Sequence, residues 1–206
     1  MTMKKLLIAT GNRHKLQEIG DIFAACGLDD WELISLAEFP DYEAPEENGA
    51  SFAENAAIKA TAAAQATGLL TLADDSGLSV DALNGAPGIR SARYADDISA
   101  GHDDQANRDK LLREMAQVPD QLRTAAFVCA AALATPEGDA VFIEGRCVGR
   151  ITWEEIGENG FGYDNLFFIP ALGKTMAQMD EAEKNSLSHR GKAMSKIAAM
   201  LKHIDD

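Results

Sequence analysis

The chain opens on an unbroken apolar run, Leu6-Leu7-Ile8-Ala9, behind two lysines, which reads as a buried strand over residues 4–10. Leu16, Ile19, Ile22 and Phe23 then recur at three- and four-residue intervals, and Gly27 follows, so residues 13–26 read as an amphipathic helix stopped by a glycine. A second strand is expected at 31–36, then an acidic, proline-bearing loop over 39–49. Ser51-Phe52-Ala53-Glu54 has the spacing of a capping box ahead of an alanine-rich helix that reaches about residue 67, where Gly68 is a natural stop. The run Leu69 to Ala73 predicts a short buried strand that stops on Asp74-Asp75-Ser76-Gly77.

Beyond it, a Gly/Pro segment at 84–88 and a polar stretch at 91–104 read as irregular and exposed, and 105–118 as a helix. Two long strands, 124–135 and 140–153, are joined by the turn Pro136-Glu137-Gly138-Asp139. A short strand is expected at 165–170 and an amphipathic helix at 188–204. Strand–helix alternation early and a long hairpin late predict an α/β fold with a mixed sheet flanked by helices. We expect residues 1–206 to form a single domain, with two lobes around a central cleft that holds the site.

Composition narrows the class. With 206 residues, 46% of them hydrophobic, the chain can bury a full core without a disulfide or metal staple. Its three cysteines are widely spaced with no CxxC pattern, as expected for a reduced, cytoplasmic protein. The first apolar run is too short for a secretory segment, and no run approaches the roughly 18 residues needed to span a bilayer, so no membrane role is expected. A formal net charge of −14 opposes binding to a nucleic acid polymer, whereas a small anion can be held where a few Lys, Arg and Mg²⁺ reverse the local sign.

Five groups of residues carry chemistry. Asp74-Asp75 places paired carboxylates at a sheet edge and suggests a divalent cation, although Asp, Ser and Gly also make ordinary turns. Alternation along a strand sends successive side chains to opposite faces, so Asp75 is assigned to the metal and water and Asp74 to support. Thr10-Gly11-Asn12-Arg13-His14-Lys15 lies between the first strand and helix, where amides and the helix dipole can hold phosphate oxygens; Asn12 is equally suited to capping the helix. It is not a Walker A loop. Glu43, Glu46 and Glu47 offer a second oxygen ligand, and oxygen-only ligands point to Mg²⁺ rather than zinc; Glu54 is read as a cap. Phe161-Gly162-Tyr163-Asp164 suits stacking on a purine and contact with its sugar, or plain core packing. Lys184, His189 and Arg190 gather cations near the last helix. Together these pieces sketch a Mg²⁺ nucleoside triphosphate site.

In order and wording these motifs resemble the inosine/xanthosine triphosphate pyrophosphatase, or Ham1, family. The matching words are Thr10-Gly11-Asn12 with Lys15 and Glu18, Ser51-Phe52 with Glu54-Asn55-Ala56 and Lys59-Ala60, and Ala73-Asp74-Asp75-Ser76-Gly77-Leu78. Gly85-Ala86-Pro87-Gly88, Ser91-Ala92-Arg93-Tyr94, Phe161-Gly162-Tyr163-Asp164 and Ser188-His189-Arg190-Gly191 complete them. The resemblance implies an elongated two-lobed α/β fold, a homodimer, and Mg²⁺-dependent hydrolysis of ITP, dITP and XTP to monophosphate and pyrophosphate. Carried onto this chain, it puts the phosphates on Thr10 to Lys15 and makes Asp75 the base and metal carboxylate, assisted by Ser76; among the three loop glutamates, Glu46 is taken as the second ligand. Base and sugar fall to Phe161, Gly162, Tyr163, Asp164, Lys184, His189 and Arg190. One departure is Asn165, where the family usually has proline; it removes a φ restraint and is expected to loosen that loop.

Overall fold

The computed structural model describes residues 3–99 and 103–204. Its strands are β1 (Lys4–Ile8), β2 (Trp31–Ser35), β3 (Thr71–Val80), β4 (Thr124–Ala134), β5 (Ala140–Ile151), β6 (Phe167–Ile169) and β7 (Lys174–Thr175). The helices are α1 (Arg13–Ala25), α2 (Phe52–Thr67), α3 (Asp104–Glu114), α4 (Glu181–Leu187) and α5 (His189–Leu201). One seven-stranded sheet runs in the order β2-β1-β3-β4-β5-β6-β7. β1 pairs parallel with β2 and β3, whereas β6 pairs antiparallel with β5 and β7, so the sheet is mixed, as the alternation of elements predicts. None of the described helices is long and apolar enough to cross a membrane.

The chain forms two compact units, one of residues 1–75, 129–145 and 189–206, the other of 76–128 and 146–188. In the first, strand alternation divides the core in two. Leu6, Ile8 and Leu72 pack with Ile19 and Phe23 of α1 and Met194 and Ile197 of α5. Leu7 and Ala73, pointing the other way, meet Ala56, Ala60, Ala63 and Ala64 of α2. In the second unit Leu78, Val80, Leu111, Met115, Phe127 and Phe167 share a core, with the Phe127 and Phe167 rings 4.5 Å apart.

Five expectations need correcting. β3 does not stop at the acids but continues through Asp74, Asp75, Ser76 and Gly77 to Val80, because both carboxylates find partners in the protein and need no turn to reach water. The stretch 91–104 is not simply exposed: Ser91, Tyr94 and Ala95 are buried, Ser91 Oγ accepting from the Leu78 amide at 2.9 Å, while 100–102 lie outside the described residues. The third helix ends at Glu114 and β5 at Ile151, short of the predicted 118 and 153. A separate α4 precedes the last helix, and extended Ser188 (φ −64°, ψ 163°) divides them, so Lys184 and Arg190 sit on different helices.

Candidate functional site

The loop after β1 is built by its own polar side chains. Thr10 Oγ1 accepts from the Asn12 amide at 3.1 Å, and Asn12 Oδ1 accepts from the amides of His14 and Lys15 at 2.9 and 3.2 Å, the geometry of an N-cap. The cap thus occupies two of the amides an anion could use, but not those of Gly11 and Arg13. Gly11, Asn12, Arg13 and His14 are exposed, and nothing lies within 4 Å of where a Cβ would stand on Gly11, so a ligand can approach the backbone there.

The two acids of β3 face opposite ways. Asp74 points with Leu72 toward α1 and α5. Its Oδ2 lies 3.0 Å from Lys15 Nζ and 3.3 Å from an Arg190 Nη, with Cys129 Sγ at 3.9 Å. Arg190 also donates to Glu18 through a very short contact, and burial, which alone would lower its pKa, is outweighed by these two carboxylates. Lys15 and Arg190 therefore converge on Asp74. Arg190, 2% exposed, is a buried brace rather than a surface cation, and His189 beside it is buried too.

Asp75 points with Ala73 toward α2. Its Oδ2 accepts from Asn55 Nδ2 at 3.0 Å, while Oδ1 lies 3.8 Å from Lys59 Nζ, beyond a hydrogen bond. Burial pushes the Asp75 carboxyl above the usual carboxylate range, against the pull of Lys59, Asn55 and Lys15. Lys59 Nζ is held by the Asp74 carbonyl at 2.9 Å and Glu47 Oε2 at 3.3 Å. Asn55 and Lys59 enter the sequence reading only as motif words, without a role; their four-residue spacing behind a cap puts both on one helix face, which is the signal that could have given them one. Glu54 caps as expected, though displaced: Ser51 Oγ accepts from the Glu54 amide at 3.2 Å, while the Glu54 carboxylate reaches the Ala50 amide at 2.7 Å.

Among the loop glutamates, Glu47 meets Lys59; Glu46 is exposed and, among the described residues, makes no side-chain hydrogen bond or ion pair with this group. No cluster of three or more His, Cys, Asp or Glu set to enclose a metal occurs among the described residues. What is present, Asp75 and Glu47 with oxygen donors only, fits Mg²⁺, which takes one or two carboxylates and completes its shell with waters and substrate phosphates.

In the second unit Phe161, Asp164 and Lys184 come together. Asp164 Oδ2 accepts from the Phe161 amide at 3.0 Å and from Lys184 Nζ at 2.7 Å, and Lys184 Nζ stands 4.8 Å from the Phe161 ring centre. What Asp164 visibly does is close its own turn. Tyr163 is in the core, its hydroxyl donating to the Ser91 carbonyl at 2.8 Å, so Phe161, partly exposed, is the ring of this motif that a base can reach. Ser76, the next residue after Asp75, is partly exposed on β3. Gly160 has φ +78°, and a Cβ there would stand 2.2 Å from Asp164 Oδ2. We expect Gly160→Ala to cost about 1–3 kcal/mol in stability and to displace Asp164, read as a lower unfolding midpoint in urea.

Comparison with known proteins adds a third line. Residues 6–200 match the model of the Ham1 family. A protein named dITP/XTP pyrophosphatase from Desulforamulus reducens is 48% identical over 97% of this chain and 96% of its own. One of the same name from Mycobacteroides abscessus is 46% identical over 97% and 96%. Among solved structures, a HAM1 protein from Coxiella burnetii has a TM-score of 0.87 at 38% identity, covering 98% of this chain and 100% of its own. The Staphylococcus aureus Ham1 protein has a TM-score of 0.84 at 40% identity, over 97% and 99%. With a mixed α/β sheet, a capped loop after β1 and two oppositely directed acids on β3, the chain belongs to the Ham1 family.

Proposed function

We propose that this chain is a nucleoside triphosphate pyrophosphatase that converts dITP, XTP and ITP to the monophosphate and pyrophosphate, clearing deaminated purines from the nucleotide pool. The observation that carries the reading is the split of Asp74 and Asp75 by strand alternation into two environments, one braced by Lys15 and Arg190 and one that accepts from the Asn55 amide with its pKa raised by burial. Relatives named for this activity and matching nearly the whole chain support it.

In this reading water attacks the α-phosphorus in line with the departing pyrophosphate, and Asp75 accepts its proton. A carboxyl with a pKa above the ordinary range holds that proton better than an exposed aspartate. Asn55 fixes the rotamer of Asp75, and Lys15, held by Asp74, faces the charge that gathers on the phosphates. Asp75 and one loop glutamate, Glu46 from the sequence or Glu47 from its place beside Lys59, would hold Mg²⁺. When bound, the ion supplies neutralisation of phosphate charge. Phe161 offers its face to the base and Lys184 backs that ring. Hypoxanthine and xanthine present an acceptor at position 6 where adenine presents a donor, so a buried donor there discriminates by roughly 10⁴. The same reading makes the protein a cytoplasmic homodimer acting on free nucleotides.

The test is product analysis with dITP, XTP and ATP by phosphorus NMR in the presence of Mg²⁺. Pyrophosphate and monophosphate as first products from dITP and XTP, little turnover of ATP, and loss of turnover on adding EDTA, restored by excess Mg²⁺, are the expected results. Orthophosphate as the first product would overturn the reading.

A further inference from the structure

The turn that presents Phe161 contains two glycines at positive φ, Gly160 at 78° and Gly162 at 62°, and nothing lies within 4 Å of where a Cβ would stand on Gly162. Such a segment has wide conformational freedom. Asp164 closes it from within through the Phe161 amide, and α3 holds it from outside. The Gly162 amide donates to Asp104 Oδ2 at 3.0 Å, and the Gly162 carbonyl accepts from an Arg108 Nη at 3.1 Å, so both polar groups of this glycine are tied to one helix.

Arg108 is in turn held by Glu155. Glu155 Oε1 accepts from Arg108 Nε at 3.0 Å and from Gln105 Nε2 at 2.8 Å, and the other Arg108 Nη donates to Gln105 Oε1 at 2.6 Å. The second carboxylate oxygen of Glu155 accepts from Asn165 Nδ2 at 2.5 Å, and the Asn165 carbonyl accepts from the Ile156 amide at 2.9 Å. Glu155 therefore joins α3, which grips the middle of the turn, to Asn165, which stands directly after its last residue. The side chains of Arg108 and Glu155 are 15% and 31% exposed, shielded enough for charge-assisted bonds to hold geometry. Asn165, expected to loosen this loop, is instead tied on both its side chain and its carbonyl.

We infer that Glu155, acting through Arg108 and Asn165, is a positioning residue for nucleotide binding. It fixes the Phe161 turn in the course that offers the ring to the base, with the Asn165 amide supplying by a hydrogen bond the restraint that a proline ring would give there. The inference rests on the proposed contact between Phe161 and the base, so the experiment carries a control for that contact.

Steady-state kinetics with dITP and melting temperatures are measured for Glu155→Ala, Asn165→Ala, their double variant, and Phe161→Ala. Removing a hydrogen bond to a charged group is expected to raise KM about tenfold for Glu155→Ala and about threefold to fivefold for Asn165→Ala, with kcat unchanged. Because the two act through one bond, the double variant should be no worse than about twofold beyond Glu155→Ala. Phe161→Ala should raise KM at least as much as either. If KM stays near the wild-type value in Glu155→Ala and Asn165→Ala while Phe161→Ala raises it, the positioning role is wrong and the base contact stands. A drop in melting temperature without a change in KM would likewise reduce Glu155 to a structural role. An unchanged KM in Phe161→Ala would overturn both the base contact and this inference.

Discussion

Asp75→Asn is expected to cut kcat for dITP by about 10²–10⁴-fold while leaving the fold intact, the range expected for loss of a positioned general base. Asparagine keeps an oxygen to accept from Asn55 Nδ2, so packing at this point of β3 survives. The charge itself contributes nothing to stability at neutral pH. Burial raises the Asp75 pKa in the folded protein above its unfolded value. The folded state therefore binds the proton more readily, and this contribution to stability is present below the unfolded pKa and lost as pH rises through the folded one. At neutral pH the ionised carboxylate is a cost that asparagine relieves, so the variant should melt at or above the wild-type temperature in metal-free buffer. Turnover near the wild-type rate would remove Asp75 from the chemistry, and a large fall in melting temperature would show the carboxylate to be structural.

Arg190→Met is expected to do the reverse, lowering stability by about 3–5 kcal/mol, as for a buried ion pair that loses one partner. The guanidinium is 3% exposed and answers Asp74, whose side chain is fully buried, and Glu18, 13% exposed. Methionine fills much of the volume but removes the cation that Arg190 brings to Glu18 and Asp74, while Lys15 still pairs with Asp74. Adding Glu18→Gln should recover part of the loss, because a neutral amide costs less to bury than a carboxylate that has lost this guanidinium. Urea denaturation of both single variants and the double one measures the coupling. A double variant as unstable as the sum of the singles would mean that Glu18 and Arg190 act independently. Turnover by Arg190→Met should fall as well, since Asp74 would no longer be fixed where it holds Lys15.

Much of this arrangement was legible in the sequence because it is written in local signals. The spacing of Leu16, Ile19, Ile22 and Phe23 gave α1, Gly68 in the left-handed region ends α2 where expected, and the motif words carried the family. Alternation also separates Asp74 from Asp75, and they do face different helices. The parts that were not legible depend on partners distant in the chain. β3 runs on through the acids because α1, α2 and α5 supply their donors, and no property of Asp-Asp-Ser-Gly by itself predicts that. Nor does the sequence show what Tyr163 and Arg190, assigned by resemblance to base and sugar, hold within the protein: Tyr163 donates to the Ser91 carbonyl and Arg190 pairs with Asp74 and Glu18. Lys59 went unassigned because a lysine inside an alanine-rich helix looks like a solvated face until the loop bearing Glu47 folds over it.

Hydrolysis of dITP in ¹⁸O-labelled water, with both products examined by mass spectrometry, tests the reaction most directly. Attack at the α-phosphorus, with Asp75 taking the proton of the attacking water, puts the label into the nucleoside monophosphate and leaves the pyrophosphate unlabelled. Label in pyrophosphate, or in orthophosphate released first, would place the attack at another phosphorus and contradict the roles given to Asp75 and Lys15.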